Sequence, residues 1–497
     1  MARQVYDVVV LGAGPTGENV ADRAVRGGLS AAIVEPELVG GECSYWACMP
    51  SKALLRPVAA ASEAGHLLGV AGTRLDAADV LKRRDSFASH WEDDGQVQWL
   101  EHAKIALYRG HGRLAGERRV TVSPAGVPSA GTADENDADG NDADGNDDAG
   151  TELIARHAVV IATGSSAVIP PPLKDVNPWT SRDATSAHAA PGRLAIVGGG
   201  VAGCEMAAAW QALGAQVTLI ARGGLLERLP EFAGDLVAAG LRDAGADVRC
   251  GTSVTEAGRN CTGPVTLTLD DGTRVEADEV LAATGRAPRT AGIGLETAGL
   301  EPGSWLSVDD TLRVIGGNDN RSSRTDGGDS PVPWLYACGD VNHLALLTHM
   351  GKYQARICGD AIVARASGRE PAVTDRSSKA CVPQVIFTVP EVAAAGLTEG
   401  RAREAGIRTR VVTLDLGNVA GAALFADGYT GTAQMVVDED RKVIVGMTLA
   451  GPGVGELIHA ATVAIAGQVP LEALWHAVPS YPTISELWLR LLEAYGL

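Results

Sequence analysis

The sequence predicts an α/β fold, because a strand, a glycine-rich turn and a helix follow one another twice along the chain. Both turns read Gly-x-Gly-x-x-Gly; their glycines are Gly12, Gly14 and Gly17 in the first and Gly198, Gly200 and Gly203 in the second. After about Ser378 the pattern changes to short strands without such a turn. We therefore predict two Rossmann-like dinucleotide-binding domains followed by a C-terminal α+β domain. With 497 residues, the chain is long enough for three domains.

The first glycine turn lies in the context that dinucleotide binding requires. Apolar residues 7–11 predict a strand, a helical pattern ends near Gly27, and residues 31–35 predict a second strand. The glycines let a pyrophosphate approach the helix N-terminus, and Glu35 has the spacing of a carboxylate that accepts from a ribose hydroxyl. The alternative is a chance match to the motif, which the strand context and the acidic residue disfavour.

Cys43 and Cys48 follow this unit, in the segment Gly40-Gly-Glu-Cys-Ser-Tyr-Trp-Ala-Cys-Met-Pro-Ser-Lys52. With four residues between them, their sulfurs can form a small ring or two thiols at a distorted helix start. A disulfide that closes so short a loop removes little chain entropy, and a helix N-terminus stabilises thiolates. The pair is therefore typical of a redox switch, and the glycines before it allow close approach to a flat ligand. The alternative is two unrelated buried cysteines.

Residues 53–107 have helical spacing and predict a helical hairpin over the cysteine pair. Its predicted core positions are Leu54, Leu55, Leu67, Leu68, Val80 and Leu81. Strands are predicted at residues 106–108 and 119–122.

Residues 131–150 carry eight acidic and no basic side chains. Their Asp-x-Asp-Gly repeat resembles part of a calcium loop, but the terminal Glu and flanking helices of an EF-hand are missing, so we predict a disordered loop here and at residues 316–330.

The second glycine turn predicts the pyridine nucleotide. Two similar turns, each after a buried strand, flank this unit; they are Ala162-Thr163-Gly164 and Ala283-Thr284-Gly285. Residues 194–220 between them predict a strand, the turn, a helix and a strand. Where the first unit has Glu35, the second has Ala221-Arg222, with Arg228 six residues later. Guanidinium groups there would bind a 2′-phosphate, which favours NADPH over NADH. The alternative is that these arginines are merely solvated.

The remainder of the chain predicts one more strand and the C-terminal domain. A buried strand at residues 334–337 ends at Gly339-Asp340, and residues 348–366 predict a helix. In the C-terminal domain, strands are predicted at residues 384–387, 409–414, 434–437 and 443–449, and an apolar helix at residues 455–467. The tail combines rigid X-Pro segments with two polar residues, Tyr481 and Glu486.

Composition excludes several classes of function. The net charge of −19 argues against non-specific binding to nucleic acids or anionic membranes. Because no apolar stretch could span a bilayer and no signal peptide begins the sequence, we predict a cytoplasmic protein. Eight cysteines are too few for a disulfide scaffold, and their spacing predicts no metal site. Outside the pair, the cysteines are predicted to be small buried side chains: Cys204, Cys250, Cys261, Cys338, Cys358 and Cys381.

The sequence resembles the class I pyridine nucleotide-disulfide oxidoreductases in several features that occur in the same chain order. They are the cysteine motif ending at Lys52, both glycine turns, both Ala-Thr-Gly turns, the Gly339-Asp340 strand end and the tail. Glutathione reductase, dihydrolipoamide dehydrogenase and mercuric reductase are members of this family. The resemblance covers nearly the whole chain and implies a homodimer that uses FAD and NADPH. It implies an FAD domain at residues 1–190 and 291–375, an NAD(P)H domain at residues 191–290 and a dimerisation domain at residues 376–497.

The resemblance also implies roles for single residues. Cys48 would be the thiolate beside the flavin, and Cys43 the thiol that attacks the substrate. Lys52 and Glu205 would form a pair near the flavin N5, where they stabilise charge during hydride transfer. The other implied contacts are Asp340 with the ribityl chain, and Arg222 and Arg228 with the 2′-phosphate.

The sequence departs from the family at two places. Members that reduce disulfides have a His at the position of Tyr481, which acts across the dimer as the acid-base partner of the attacking thiol; Glu486 is retained. A phenol has a pKa near ~10 and is a poor proton shuttle at neutral pH. His476 lies nearby and is predicted to be a packed or surface residue. Mercuric reductase also has Tyr there, but this chain lacks its C-terminal cysteine pair. The second departure is at residues 44–47, Ser-Tyr-Trp-Ala, which are bulkier than the Leu-Asn-Val-Gly that the family usually has between its two cysteines.

Three hypotheses follow. The main one is a flavoenzyme that passes two electrons from NADPH through FAD to Cys43–Cys48 and on to a small-molecule acceptor, a disulfide or a related compound. The second, motivated by the missing His, is reduction of a quinone or metal ion, as in mercuric reductase. The third is a non-catalytic FAD-binding redox sensor, which the residues for hydride entry disfavour.

Overall fold

The structure is a computed structural model that describes residues 2–124, 150–260, 263–316 and 331–497. Cys261, nearly all of the acidic segment at residues 131–150 and all but Gly316 of the segment at residues 316–330 lie outside this range. The chain divides into two compact units. The first contains Met1–Tyr45, Trp91–Ser166 and Arg286–Ser378, and the second contains Trp46–His90, Ala167–Gly285 and Lys379–Leu497.

The strands are numbered in chain order. They are β1 (Arg3–Leu11), β2 (Ala31–Glu35), β3 (Ala106–Arg109), β4 (His111–Leu114), β5 (Arg119–Ser123), β6 (Thr151–Ile161), β7 (Ser165–Ala167), β8 (Arg193–Val197), β9 (Gln216–Ala221), β10 (Asp247–Cys250), β11 (Val254–Arg259), β12 (Val265–Leu269), β13 (Arg274–Ala277), β14 (Glu279–Ala282), β15 (Arg286–Pro288), β16 (Arg313–Ile315), β17 (Pro331–Ala337), β18 (Pro383–Ile386), β19 (Glu391–Gly396), β20 (Thr409–Asp415), β21 (Thr432–Asp438) and β22 (Val443–Gly451).

The α-helices are numbered in the same way. They are α1 (Pro15–Arg26), α2 (Gly41–Tyr45), α3 (Cys48–Gly65), α4 (Ala77–Phe87), α5 (Asp94–His102), α6 (Ser181–Ser186), α7 (Val201–Ala212), α8 (Glu231–Asp243), α9 (Thr348–Ala366), α10 (Ser377–Ala380), α11 (Glu399–Glu404), α12 (Ala420–Phe425), α13 (Ile458–Ala466), α14 (Leu471–Leu474) and α15 (Leu487–Tyr495). No helix within the described ranges is long and apolar enough to cross a membrane.

The first unit is built on a mostly parallel sheet. Within the described residues its strand order is β16-β17-β6-β1-β2-β3, and β4 and β5 continue antiparallel from β6. Residues 8–10 of β1 are fully buried, as expected for a strand covered on both faces. Helices α1 and α9 pack closely because glycines meet side chains there: a Cβ at Gly351 or Gly359 would overlap Thr16 or Arg23. The carboxyl ends of β1, β2, β6 and β17 therefore share one edge.

The second unit contains three sheets among its described strands. A parallel sheet has the order β10-β9-β8-β14, and β11, β12 and β13 form an antiparallel sheet. The C-terminal residues form an antiparallel sheet with the order β18-β19-β22-β21-β20 and helices beside it. Helix α7 is buried from Gly203 to Trp210, and it packs against α3. The predicted α/β fold with a C-terminal α+β part is confirmed.

Three predictions about local structure are wrong. Leu68 is 98% exposed and Leu67 is only half-buried, because α3 ends at Gly65 and the loop that follows turns outward. Asp427 holds this loop: its Oδ2 accepts from Leu68 N, and its backbone N donates to His66 O. Cys250 is exposed at the end of β10, whereas the other cysteines predicted to be buried and present in the described residues are buried. The sequence analysis also did not place strands β4, β7, β10, β11, β12, β13, β15, β16 and β19. In β4 and β19, a His-Gly-Arg start and an Ala-rich run are weak strand signals.

Candidate active site

The first glycine turn joins β1 to α1, and two of its glycines are required by the backbone around them. Gly12 has φ +100°, and a Cβ there would overlap the carbonyl of Ala162 at the end of β6. A Cβ at Gly17 would overlap the carbonyl of Gly12. These glycines therefore allow the tight turn and the close packing of helix and strand.

Gly14, in contrast, faces open space. In the part of the chain that the structure describes, nothing lies within 4 Å of the place where its Cβ would be, and helix α1 starts at the next residue, Pro15. The second turn repeats this arrangement: Gly198 and Gly203 are crowded by backbone carbonyls, while Gly200 faces open space in front of α7. Each turn therefore offers an uncovered helix N-terminus, which fits the pyrophosphate of a dinucleotide. The residues present fit two such cofactors.

Glu35 braces the first turn. Its Oε2 accepts from Ala13 N at 2.7 Å and its Oε1 from Glu37 N at 2.9 Å. The side chain is buried, and burial raises the pKa of this carboxyl. A second buried carboxyl nearby, Glu18, was not predicted; burial raises its pKa to about 7, and its Oε1 has no hydrogen-bond partner in the described residues. Each carboxylate oxygen of Glu35 retains a further lone pair that can accept from a ribose hydroxyl. This ribose contact stays a prediction.

The two Ala-Thr-Gly turns have separate hydrogen-bond partners. In the first unit, Thr163 Oγ1 donates to Arg289 O at 2.6 Å, and Gly164 adopts φ +76°. In the second, Thr284 Oγ1 donates to Val168 O at 2.9 Å, and Gly285 adopts φ +150°. The space beside both glycines is open. Each turn ends a buried strand at the edge where ligands of such sheets bind.

Asp340 belongs to a polar network at the carboxyl end of β17. Its Oδ2 accepts from Ser165 Oγ at 2.5 Å, and Ser165 Oγ in turn accepts from Arg286 Nε at 2.6 Å. The Asp340 carboxylate lies 3.8 Å from Arg286 Nε. The network fixes the orientation of Asp340 and leaves its second carboxylate oxygen available as an acceptor. This arrangement fits the prediction that Asp340 accepts a hydrogen bond from the ribityl chain.

The boundary between the two units falls inside the cysteine motif, between Tyr45 and Trp46. Cys43 lies in the short helix α2 of the first unit, and Cys48 is the first residue of the 18-residue helix α3 in the second. Both cysteines are half-buried. A position at the start of a long helix favours the thiolate of Cys48, because the helix dipole places positive potential there.

The residues around Cys43 are held by the first glycine turn and by an ion pair. A Cβ at Gly41 would lie 2.9 Å from the Cα of Gly14, and Gly40 N donates to Ala13 O at 2.8 Å. Close backbone packing thus accounts for Gly41, and the φ of +111° accounts for Gly40. Arg289 NH2 donates to Glu42 Oε1 at 2.8 Å, directly before Cys43. Sequence reasoning missed this pair, since 247 residues separate its members.

The bulky residues between the cysteines have different environments. Tyr45 is buried, and its hydroxyl donates to Val39 O at 2.9 Å, so it fills the interior of the first unit. Trp46 is half-buried, and the guanidinium carbon of Arg182 lies 4.2 Å from its ring centroid in the second unit. Of the two aromatic residues, Trp46 is therefore the one with surface left to contact a substrate.

Lys52 and Glu205 form an ion pair in the second unit, as predicted from the resemblance. Lys52 Nζ lies 2.8 Å from Glu205 Oε2, and Glu205 is only 3% exposed. Sequence reasoning missed the third member, Phe387: its backbone N donates to Glu205 Oε1 at 3.0 Å, and its ring centroid lies 5.1 Å from Lys52 Nζ. The carboxylate and the ring together hold the ammonium group in one place.

We expect Glu205→Gln to lower the free energy of unfolding by about 1–3 kcal/mol, because the buried carboxylate loses its charge-assisted bond to Lys52. If the pair lies beside a flavin, as the resemblance implies, we also expect reduction of that flavin by pyridine nucleotide to slow about 10- to 100-fold, since Lys52 is no longer fixed. Urea unfolding and stopped-flow bleaching of the flavin measure the two effects. The matched control is Glu63→Gln, which removes a surface pair with Arg56 and should change neither quantity appreciably. Equal effects in both variants would contradict the prediction.

Arg222 and Arg228 lie on the loop after β9. This loop contacts the second glycine turn, because Leu226 N donates to Gly199 O. Both side chains are exposed, and neither forms a salt bridge with any described residue. The carboxylate in the same loop, Glu227, accepts instead from Gly224 N at 3.0 Å. Two uncompensated guanidinium groups therefore remain on this loop.

The tail places its two predicted residues differently. Tyr481 is 76% exposed, and within the described part of the chain its hydroxyl makes no hydrogen bond. Glu486 is buried; its Oε1 accepts from Arg490 NH2 at 2.6 Å, while its Oε2 has no partner among the described residues. His476 is exposed, which confirms the prediction of a packed or surface residue. Glu486 is thus oriented by Arg490 and not by Tyr481.

Comparison with known proteins identifies the family. Residues 6–368 match the model described as pyridine nucleotide-disulphide oxidoreductase, and residues 382–491 match the dimerisation domain of the same family. A structure of the flavoprotein disulfide reductase RclA from Escherichia coli has the same fold, with a TM-score of 0.78, 22% identity and 99% of each chain covered. A structure of LpdA from Mycobacterium tuberculosis also has a TM-score of 0.78, at 23% identity over the whole of both chains.

Sequence relatives agree with this result. Dihydrolipoyl dehydrogenase from Thermus scotoductus is 30% identical over 99% of this chain and 97% of its own length. The enzyme of that name from Haloferax volcanii is 31% identical, over 98% and 95%. Mercuric reductase from Shigella flexneri is 30% identical, over 96% of this chain and 79% of its own. The protein therefore belongs to the pyridine nucleotide-disulphide oxidoreductase family, flavoenzymes that use FAD and a pyridine nucleotide.

Proposed function

We propose that the protein is a homodimer that transfers two electrons from NADPH to a small disulfide, by way of FAD and Cys43–Cys48. The observation that carries this proposal is the position of Cys48 at the start of α3, one helical turn before Lys52, whose ammonium is held by buried Glu205. A thiolate site and a fixed cation on one helix are what exchange with a reduced cofactor requires. The domain limits given by the resemblance are part of the proposal.

The overall reaction balances as follows. NADPH, one proton and a disulfide give NADP⁺ and two thiols. FAD, when bound, would supply the two-electron chemistry that links the nicotinamide to the Cys43–Cys48 disulfide. Cys43 then attacks the substrate disulfide as a thiolate, one substrate thiol leaves with a proton, and Cys48 displaces the second to close the pair again. Lys52 provides positive charge where negative charge develops.

The arginines after β9 support NADPH as the pyridine nucleotide. The 2′-phosphate of NADPH is a dianion, and a guanidinium binds it with two parallel hydrogen bonds. Arg222 and Arg228 are exposed and have no carboxylate partner among the described residues. Glu227, the acidic residue of the loop, is engaged with Gly224 N.

We expect the double variant Arg222→Ala, Arg228→Ala to bind NADPH about 100-fold more weakly, because two charged hydrogen-bond partners are lost, and to bind NADH as the parent does. The KM for each cofactor and fluorescence titration measure this. The control is Arg274→Ala, which removes an exposed arginine from β13 and should leave both affinities unchanged. Equal affinity of the parent protein for NADH and NADPH would reject the cofactor assignment.

The environment of Tyr481 favours a second candidate, reduction of an acceptor other than a disulfide. An exposed phenol that is not paired with Glu486 is a poor acid-base partner for thiol exchange. Steady-state assays with lipoamide, glutathione disulfide, Hg(II) and quinones separate the two candidates. Rapid turnover of a disulfide that is unchanged in Tyr481→Phe supports the main proposal. Turnover with quinones or Hg(II) alone supports the second.

The homodimer is supported by the match of residues 382–491 to the family's dimerisation domain. The described C-terminal residues also contain an apolar cleft of about 370 Å³, lined by residues that include Val463, Leu474 and Trp488. Val463 is 54% exposed, and an apolar side chain in such a cleft is typical of a surface that a partner covers. A redox sensor without turnover remains the third hypothesis, and any catalytic rate with NADPH and one of these acceptors rejects it.

A further inference from the structure

We propose that the first unit contains a separate binding site for a compact phosphate-class oxyanion, such as inorganic phosphate or pyrophosphate. The site is a cleft of about 170 Å³ whose polar lining consists of Arg118, Arg156, His157, Arg365 and Tyr336. None of these residues was singled out by the sequence analysis, and the family reaction does not use them. The proposal is independent of the acceptor and of the pyridine nucleotide.

The cleft is remote from the glycine turn that binds FAD. His157 lies four residues before the carboxyl end of β6, which corresponds to about 13 Å along a strand. Arg365 lies in the last turn of α9, seventeen residues after Thr348, which corresponds to about 25 Å along the helix. An anion in the cleft is therefore not the pyrophosphate of FAD.

Arg365 carries a charge that no carboxylate of the described ranges neutralises directly. Its NH1 donates to Tyr336 Oη and its NH2 to Thr311 Oγ1, each at 2.9 Å. No carboxylate among the described residues lies within 4 Å of this guanidinium. Arg313, paired with Tyr336 across β16 and β17, adds a second arginine without a salt bridge, and its buried Nε has no hydrogen-bond partner in the described chain. Two guanidinium groups thus lie near Tyr336 without a salt bridge to any described carboxylate; Arg365 lines the cleft, and Arg313 lies beside Tyr336 outside that lining.

Arg118 and Arg156 hold the other side of the cleft. Arg118 has φ +58°, a left-handed conformation that costs a residue with a side chain about 1–2 kcal/mol. Its NH1 donates to Arg156 O at 2.9 Å, which fixes its guanidinium beside Arg156. Arg118 therefore lines the cleft with a guanidinium that hydrogen bonds hold in place.

The carboxylates that face these groups only partly balance them. Asp7 lies 3.0 Å from Arg156 NH1 and 3.9 Å from His157 Nε2. Glu117 lies 2.6 Å from Arg118 NH2. The Thr311 hydroxyl connects Arg365 to a third carboxylate: it accepts from Arg365 NH2 and donates to Asp309 Oδ1. Four arginines therefore meet three carboxylates, a local excess of positive charge in a chain whose net charge is −19.

The size of the cleft limits the ligand. Sites for drug-sized molecules have volumes of about 300–1,000 Å³, so a cleft of about 170 Å³ has room for a small oxyanion and not for a whole nucleotide. Forked guanidinium groups match the oxygens of phosphate in geometry as well as in charge. A multivalent phosphate species is the ligand class that satisfies both conditions.

The test is titration of the FAD-loaded protein with inorganic phosphate and with pyrophosphate, in a buffer free of both, by isothermal calorimetry and ³¹P line broadening. We expect saturable binding in the parent and binding about tenfold or more weaker in Arg118→Gln and in Arg365→Gln, because each loses a charged donor. Two variants are used because Arg365 also bonds to Tyr336 and Thr311, so its loss alone could disturb folding.

Two controls make the result specific. Arg403→Gln removes a surface arginine paired with Glu399 in the other unit and should bind as the parent does. The double variant Arg222→Ala, Arg228→Ala removes the proposed 2′-phosphate contacts and should also keep the binding. The proposal is overturned if the parent shows no binding, if Arg118→Gln and Arg365→Gln both bind like the parent, or if binding is lost in the Arg222/Arg228 variant instead.

Discussion

Replacing Cys48 by Ser is expected to abolish turnover of disulfides, by a factor of about 1,000 or more, because the electron pair then has no disulfide to enter. Reduction of the flavin itself should continue, since Lys52 and Glu205 are untouched. Steady-state assays with a disulfide acceptor and with ferricyanide, which takes electrons from the flavin directly, distinguish these steps. We expect the first activity to be lost and the second to be retained.

The matched control is Cys250→Ser. Cys250 is exposed at the end of β10, so it is the thiol most open to non-specific reaction with a disulfide among the described cysteines. Its replacement should leave turnover unchanged. Disulfide turnover that survives in Cys48→Ser, or that falls equally in Cys250→Ser, would show that the electron pair does not pass through the Cys43–Cys48 motif.

The second large effect is expected at Gly17. Its Cβ would overlap the Gly12 carbonyl, and Gly12 cannot move away because its own φ of +100° and the Ala162 carbonyl fix it. We therefore expect Gly17→Ala to lose FAD and to unfold at a temperature at least about 8 °C lower, as for a loss of several kcal/mol. The ratio of flavin to protein absorbance and a thermal scan measure both quantities.

Gly14→Ala separates folding from cofactor binding. No atom of the described residues lies within 4 Å of a Cβ there, so the apoprotein should unfold at the parental temperature. The open space is where we expect the pyrophosphate, so FAD affinity should fall more than about tenfold, as for a steric cost above 1.4 kcal/mol. If Gly17→Ala is as yellow and as stable as the parent, the account of the turn is wrong. If Gly14→Ala binds FAD normally, the cofactor does not lie where we infer.

Features with strong local signals could be predicted from the sequence. A helix was predicted at about residues 348–366, and α9 spans Thr348–Ala366. Both glycine turns were predicted because a turn that needs positive φ and close packing leaves few alternatives to glycine. The same signals located the strands that precede and follow each turn.

Features that depend on distant partners could not be predicted in this way. Leu68 continues a helical pattern in sequence, but the bonds that hold its loop go to Asp427, 359 residues away. The Lys52–Glu205 pair was found through the resemblance, and its third member, Phe387, comes from strand residues that carry no nucleotide motif. Arg289 beside Glu42 and the arginines around Tyr336 likewise meet only after folding.

The central claim is that electrons from the nicotinamide reach the Cys43–Cys48 pair through the flavin. Anaerobic titration of the FAD-loaded protein with NADPH, followed by absorbance and by thiol counting, tests it most directly. We predict that the first two electrons produce a long-wavelength band from a thiolate beside the flavin and two newly reactive thiols per FAD, and that Cys48→Ser shows neither. Complete bleaching of the flavin by two electrons, with no band and no new thiols in the parent protein, would contradict the account.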